Sequence, residues 1–210
     1  MIFDMDGVLV DTEPLHLRAL NEVLAQAGCH LSEKENEQLL GTTFQATWEY
    51  LLKRFDLAEH VDRFAPEYDA AVLTFLSEPL SPAPGAKELL NTLTSRAVPL
   101  ALASSAKREW IHTTLTSLGI RELFPIAVSG QDVNRGKPEP DIFLLAARQL
   151  GVDAVRCLVI EDSPNGITAG RRAGMDVLAV RTPGTAHLAL EEATWIVSSL
   201  EEVNLETLGF

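Results

Sequence analysis

Four groups of polar residues, each set against a run of apolar ones, carry the side chains that could do chemistry. Asp4 and Asp6 break the opening "IFDMDG"; Ser104 and Ser105 close "VPLALASS"; Lys137 lies in "NRGKPEPDIF"; Glu161 and Asp162 close "CLVIED". Asp4 and Asp6 are two apart, so their side chains share a face if the first strand continues through them. Carboxylates that close repel each other unless a proton or a cation intervenes. Glu161 and Asp162 add two more acids. An all-oxygen set of this kind suits Mg2+, which takes carboxylates, a carbonyl and waters. Lys137 can hold a phosphoryl oxygen as a point charge. The Ser104 hydroxyl and backbone N–H groups at a helix start can hold the others. Carboxylate, metal, lysine and hydroxyl together are what phosphoryl transfer needs, because a nucleophile must approach an anion whose charge is offset.

Each group alone has a structural explanation. Asp-x-Asp-Gly is often a turn, Gly-Lys-Pro a loop, and Glu-Asp-Ser a helix cap. Their joint occurrence, each after its own apolar run and in a sensible order, is what points to a site.

Something must bring the four groups together. "IFDM", "VPLALAS", "PIAVSG", "CLVIED", "DVLAV" and "WIVSS" have strand length and near-continuous apolar character. Helical patterns lie between them: Leu89, Leu90 and Leu93; Ile111, Leu115 and Leu118; Phe143, Leu144, Ala147 and Leu150. This alternation predicts an α/β fold, a Rossmann-like doubly wound parallel sheet with helices on both faces. Ligands of such sheets bind beyond the carboxyl ends of the strands, where the polar groups lie.

One region breaks the alternation. Residues 13–81 show helical periodicity and no convincing strand. The apolar stripes are Leu17, Leu20, Leu24 and Ala27, with Gly28 as a stop; Trp48, Leu51, Leu52 and Phe55; and Phe64, Tyr68, Val72, Phe75 and Leu76. The expected organisation is a catalytic core, 1–12 and 82–210, carrying an all-helical cap, 13–81, with hinges near Thr12 and Pro82. The aromatic stripes are expected to form the cap's own core.

Composition narrows the function. The 210 residues carry a net charge of −13, and no basic run interrupts it. That disfavours nucleic acid, whose phosphates need basic groups. There is no apolar stretch long enough for a membrane span and no secretory signal, so a cytoplasmic protein without a membrane partner is expected. Cys29 and Cys157 have no metal-type spacing and form no disulfide framework, which fits a reducing compartment. A monomer is the simplest expectation.

The motifs resemble those of the haloacid dehalogenase-like hydrolases, in the branch of β-phosphoglucomutases and sugar-phosphate phosphatases. "DMDGVLVDTEPLH", "LASSAK", "GKPEPDIF" and "VIEDSPNGI" match that family's four motifs in order. The resemblance spans essentially the whole chain; the cap is its least specific part. It implies that Asp4 is the nucleophile and forms an aspartyl phosphate. Asp6 would be general acid and then general base. Asp4, the backbone carbonyl of Asp6 and Asp162 would hold Mg2+, with Glu161 behind them. Ser104, Ser105 and Lys137 would bind the transferring phosphoryl group. Thr12 and His16 match substrate-binding positions at the cap hinge. Mutases carry a cap arginine for a second phosphate, and Phe44 stands at that place. The resemblance therefore implies a Mg2+-dependent phosphatase of a small phosphorylated metabolite, a sugar phosphate. The alternatives are a phosphosugar mutase and, from another class, a non-catalytic phosphate-binding or receiver-like signalling protein.

Overall fold

The structure is a computed structural model. It describes the chain apart from residues 38, 40–43, 58–60, 183, 186 and 210, and apart from the side chains of 37, 44–46 and 61–63. Two compact units are present: Met1–Asp11 with Pro79–Phe210, and Thr12–Glu78.

The first unit is built on six strands: β1 (Ile2–Phe3), β2 (Ala101–Ser104), β3 (Ile126–Ser129), β4 (Leu158–Glu161), β5 (Asp176–Val180) and β6 (Trp195–Val197). Their order is β3-β2-β1-β4-β5-β6 and every pairing is parallel. The order reverses between β1 and β4, the place where open α/β sheets leave a crevice. Strand periodicity sorts the side chains. Phe3, Leu102, Ile160 and Leu178 pack on one face with Leu89, Leu90, Leu93, Ile111 and Leu115. Ile2, Ala101, Val159 and Val177 pack on the other with Ile142, Phe143, Ala146 and Ile167. Both faces are covered, so each strand reads as a nearly unbroken apolar run.

In the second unit, α1 (Glu13–Ala25), α2 (Glu33–Glu37), α3 (Phe44–Phe55) and α4 (Val61–Leu76) are all helical. Trp48, Leu51, Phe64, Tyr68, Val72 and Phe75 are buried, so the aromatic stripes form a core. The first unit continues with α5 (Ala86–Ser95), α6 (Arg108–Ser117), α7 (Asp141–Leu150) and α8 (Pro164–Arg172). Among the described residues, no helix is long and apolar enough to cross a membrane.

Two helical stripes differ in detail from the sequence reading. α1 ends at Ala25, and Ala27 is exposed in the turn that reaches Gly28. α7 buries Ile142, Phe143, Ala146 and Ala147, which leaves Leu144, about a hundred degrees further round the helix, on the solvent side.

Candidate active site

β1 stops at Phe3, sooner than the sequence reading supposed. Asp4 still donates its N–H to the Ile160 carbonyl (2.9 Å) and so stays in register with β4. The chain then turns. The N–H groups of Val8, Leu9 and Val10 all point to the Met5 carbonyl, at 3.3, 2.8 and 3.3 Å. Gly7 makes this possible with a φ of +76°, and a side-chain carbon there would also overlap the Asp162 carboxylate. Asp4 and Asp6 are therefore not neighbours on one continued strand face. Asp6 sits in a bridge to Val10, where Ser104 Oγ reaches its Oδ2 at 3.5 Å. It is still near enough to raise the pKa of Asp4.

Parity directs the remaining acids. Ile2 and Val159 lie on the face covered by α7 and α8. Two residues on, Asp4 and Glu161 turn to the same side. Lys137 comes from the turn before α7 and meets both. Its Nζ lies 2.5 Å from Asp4 Oδ1 and 2.7 Å from Glu161 Oε1, with the Phe143 ring centroid 5.0 Å away. The Lys137 side chain is only 6 % exposed, so this is a buried ion pair and not a surface contact.

Glu161 is fully engaged. Its Oε1 takes Lys137, and its Oε2 accepts from Asp162 N (2.8 Å), Ser163 N (2.8 Å) and Ser163 Oγ (2.9 Å). Ser163 also caps α8, accepting from Gly166 N at 3.1 Å. A side-chain carbon on Gly166 would overlap the Glu161 carboxylate. Small residues thus let the helix start close on the buried acid. Asp162 differs: among the described residues nothing hydrogen-bonds to its carboxylate.

The electrostatics follow from burial. Removal from water pushes the Asp4 carboxyl up to about 7; Lys137 opposes the shift, and Glu161 and Asp6 add to it. Burial likewise pushes Asp162 up to about 9, with Glu161 and Asp4 adding to it. Burial alone would lower the pKa of Lys137, but the facing carboxylates outweigh it and hold the ammonium protonated.

Asp4, Glu161 and Asp162 offer carboxylate oxygens within 4.8 Å of one another. Three such carboxylates against one ammonium leave two negative charges when all are ionised. One divalent cation offsets that excess, and the all-oxygen donor set suits a hard ion such as Mg2+. With both Glu161 oxygens occupied, Asp4 and Asp162 are the side chains that fit a metal.

Of the sequence-derived set, the structure brings Asp4, Lys137, Glu161 and Asp162 together, with Asp6 and Ser104 beside them. Ser104 Oγ also accepts from Ala106 N at 3.1 Å. Ser105 is exposed directly after β2. Thr12 and His16 belong to the helical unit. Thr12 is buried at the start of α1, where its carbonyl accepts from Leu15 and His16 N–H groups, both at 3.0 Å. His16 Nδ1 lies 2.8 Å from Tyr68 Oη, and Trp48 stands edge-on to Tyr68. The side chain of Phe44 lies outside the described residues. Sequence reasoning missed Phe143 and Ser163 as site residues. Phe143 carried no signal beyond an apolar stripe. Ser163 did carry one, a serine directly before a proline and a helix.

A doubly wound parallel sheet with acids, a lysine and a serine at its switch point is the architecture of an α/β enzyme. The chain belongs to the haloacid dehalogenase-like hydrolases, whose family model matches residues 1–180. It is 34% identical over 186 residues to fructose-1-phosphate phosphatase YqaB of Escherichia coli, covering 86% of this chain and 95% of that protein. It is 33% identical over 211 residues to the bifunctional riboflavin kinase/FMN phosphatase of Arabidopsis thaliana. That match covers 100% of this chain but only 55% of the plant protein's length. The crystal structure of CbbY from Rhodobacter sphaeroides in complex with phosphate superposes with a TM-score of 0.88 at 27% identity, covering 100% of this chain and 98% of that one.

Proposed function

We propose that this protein is a Mg2+-dependent phosphatase that hydrolyses a small phosphorylated metabolite, a sugar phosphate, through an aspartyl phosphate at Asp4. The observation that carries this reading is the buried Lys137 ammonium between Asp4 and Glu161, beside Asp162, at the switch point of the sheet. A lysine so placed steadies the ionised form of a carboxylate that burial would otherwise protonate. An ionised carboxylate is what attacks phosphorus.

In the proposed reaction an Asp4 oxygen forms a bond to phosphorus and the bond to the ester oxygen breaks. Asp6 gives its proton to the departing oxygen. A water then enters, gives a proton to Asp6 and attacks the phosphorus of the aspartyl phosphate. The Asp4–phosphorus bond breaks, and inorganic phosphate and free Asp4 result. Lys137 and Ser104, with the Ser105 N–H, hold the phosphoryl oxygens throughout. Asp4, Asp162 and the Asp6 carbonyl would hold Mg2+, which when bound supplies positive charge against the developing phosphoryl charge. Glu161 keeps Lys137 and the start of α8 in place. Thr12 and His16 of the helical unit are assigned to the rest of the substrate.

The phosphate ester is supported by the phosphate held by the CbbY structure, and the sugar by the fructose-1-phosphate phosphatase relative. The test is a screen of phosphorylated metabolites, measuring released phosphate with Mg2+ and with excess chelator. Hydrolysis of sugar monophosphates that disappears in chelator is the expected result. Glucose 1-phosphate belongs in the screen, with glucose 6-phosphate assayed as product. Bisphosphate-primed isomerisation in place of hydrolysis would replace the phosphatase with a mutase.

A further inference from the structure

Lys137 sits in a turn, yet its ammonium must meet two carboxylates on two strands. Something has to hold that turn. Glu139, two residues on, is gripped from both sides. Its Oε2 lies 3.6 Å from Arg135 Nη1, and its Oε1 lies 2.9 Å from Arg172 Nη1. The same Arg172 nitrogen donates to the Pro138 carbonyl at 3.2 Å. Arg135 in turn forks onto Asp141 at the first position of α7, through Nε to Oδ1 (3.1 Å) and Nη2 to Oδ2 (2.8 Å).

These contacts close a frame. α8 is tied at its first turn to Glu161 through Ser163, and at its last residue to the Lys137 turn through Arg172. Lys137 completes the circuit by bonding Glu161 itself. Arg172 touches none of the reacting groups, and its side chain is half exposed. Its contribution to stability is accordingly small, since exposed ion pairs add little. Its two bonds to consecutive residues of one turn fix a position more than they add energy.

We propose that Arg172 is a positioning residue for Lys137, acting through the Pro138–Glu139 turn. The proposal rests on the assignment of Lys137 to phosphoryl transfer made above. The fork at Arg135 fixes the turn to its own helix, whereas Arg172 is the described link that fixes it to the helix carrying the acids' support. Its loss lets the turn shift while Asp4, Glu161 and Asp162 keep their places.

The experiment is a double-mutant cycle with Mg2+ and an aryl phosphate, reading kcat/KM and melting temperature. Arg172→Ala should lower kcat/KM roughly tenfold with the melting temperature nearly unchanged, as displacements of an ångström or less in positioned groups do. Arg172→Lys, which keeps the charge and a donor, should recover most of the loss. In a Lys137→Met background, Arg172→Ala should cost less than about twofold, because coupled residues are non-additive. An equal loss in both backgrounds would make Arg172 merely structural and overturn the proposal. So would wild-type kcat/KM in Arg172→Ala. If Lys137→Met fails to fold, the Arg172→Ala and Arg172→Lys pair decides alone: loss without recovery contradicts the proposal. Wild-type turnover by Lys137→Met would instead remove Lys137 from the chemistry, a failure of the underlying assignment that the Arg172 variants alone cannot mimic.

Discussion

At the scale of single residues, the two aspartates of the opening motif have different surroundings, and that difference fits the separate roles proposed for them. Asp4 is buried, paired to Lys137 and ladder-bonded to β4. Asp6 is half buried, stands within the turn and accepts from the Ser104 hydroxyl at 3.5 Å. A rigid, paired carboxylate suits attack. A less confined one suits proton delivery. We expect Asp6→Ala to slow hydrolysis of a sugar phosphate by roughly 10²–10⁴-fold, the range of general acid–base catalysis. With p-nitrophenyl phosphate, whose leaving group needs no proton, formation of the aspartyl phosphate should slow far less. A burst of p-nitrophenolate in the variant checks this; an equal loss of the burst step on both substrates would contradict the assignment.

At the scale of elements, the site depends on how closely a turn and a helix start approach each other. Gly7 is the clearest case, because both its φ and the Asp162 carboxylate against its Cα exclude a side chain. Gly7→Ala forces a residue with a side chain into left-handed backbone, at a cost of about 1–2 kcal/mol. It also pushes Asp162 aside. We expect lower thermal stability and roughly tenfold weaker Mg2+ binding, a typical loss when groups around a metal ligand are disturbed. Titration calorimetry and a melting curve read both effects; unaltered Mg2+ affinity would mean that Asp162 is not a ligand. All six strands were legible in the sequence: β1 to β5 because a sheet covered on both faces writes its strands as apolar runs, and the edge strand β6, whose Ile196 is exposed, through its aromatic and β-branched residues. Three of the four polar groups were legible for the related reason that each ends such a run; Lys137, in the turn before α7, was legible instead from its Gly-Lys-Pro setting at a helix start. The end of β1 was not. "IFDM" reads as strand throughout, and only the backbone of Gly7 shows where the turn begins. The supporting contacts were illegible for a different reason. Lys137 meets Asp4 across 133 residues and Glu161 across 24, and Arg172 meets Pro138 across 34. No local period encodes such pairings. The short α2, Glu33–Glu37, was missed because its polar residues make no stripe.

At the scale of the whole molecule, the buried acids are a local cost to the fold, and the proposed cation would relieve it. Burial raises Asp4 to about 7 and Asp162 to about 9, above their ordinary value of 3.8. The folded state therefore holds protons that the unfolded chain has already released. By linkage, stability falls as pH rises from about 4 through the raised values. Lys137 is raised as well, held protonated by the facing carboxylates, and its contribution is lost only above its ordinary value of 10.5. Between pH 5 and pH 8 the two aspartates act against the Met1 amino group, which burial lowers from 8.0 to about 6, and being two against one they set the sign of the slope. We expect the chelated protein to melt at a lower temperature at pH 8 than at pH 5. We expect Mg2+ to raise the melting temperature more at pH 8, where binding need not displace as many protons. An Mg2+ shift that is equal or larger at pH 5 would contradict this coupling.

If Asp4 carries the phosphoryl group between substrate and water, acid quenching during turnover followed by peptide mass spectrometry will find it there. We expect a phosphoryl group on Asp4, present with substrate and Mg2+ and absent from an inactive but folded Asp4→Asn variant. Turnover with no phosphorylated Asp4, together with an Asp4→Asn variant that keeps more than about a tenth of the rate, would contradict covalent catalysis at this residue.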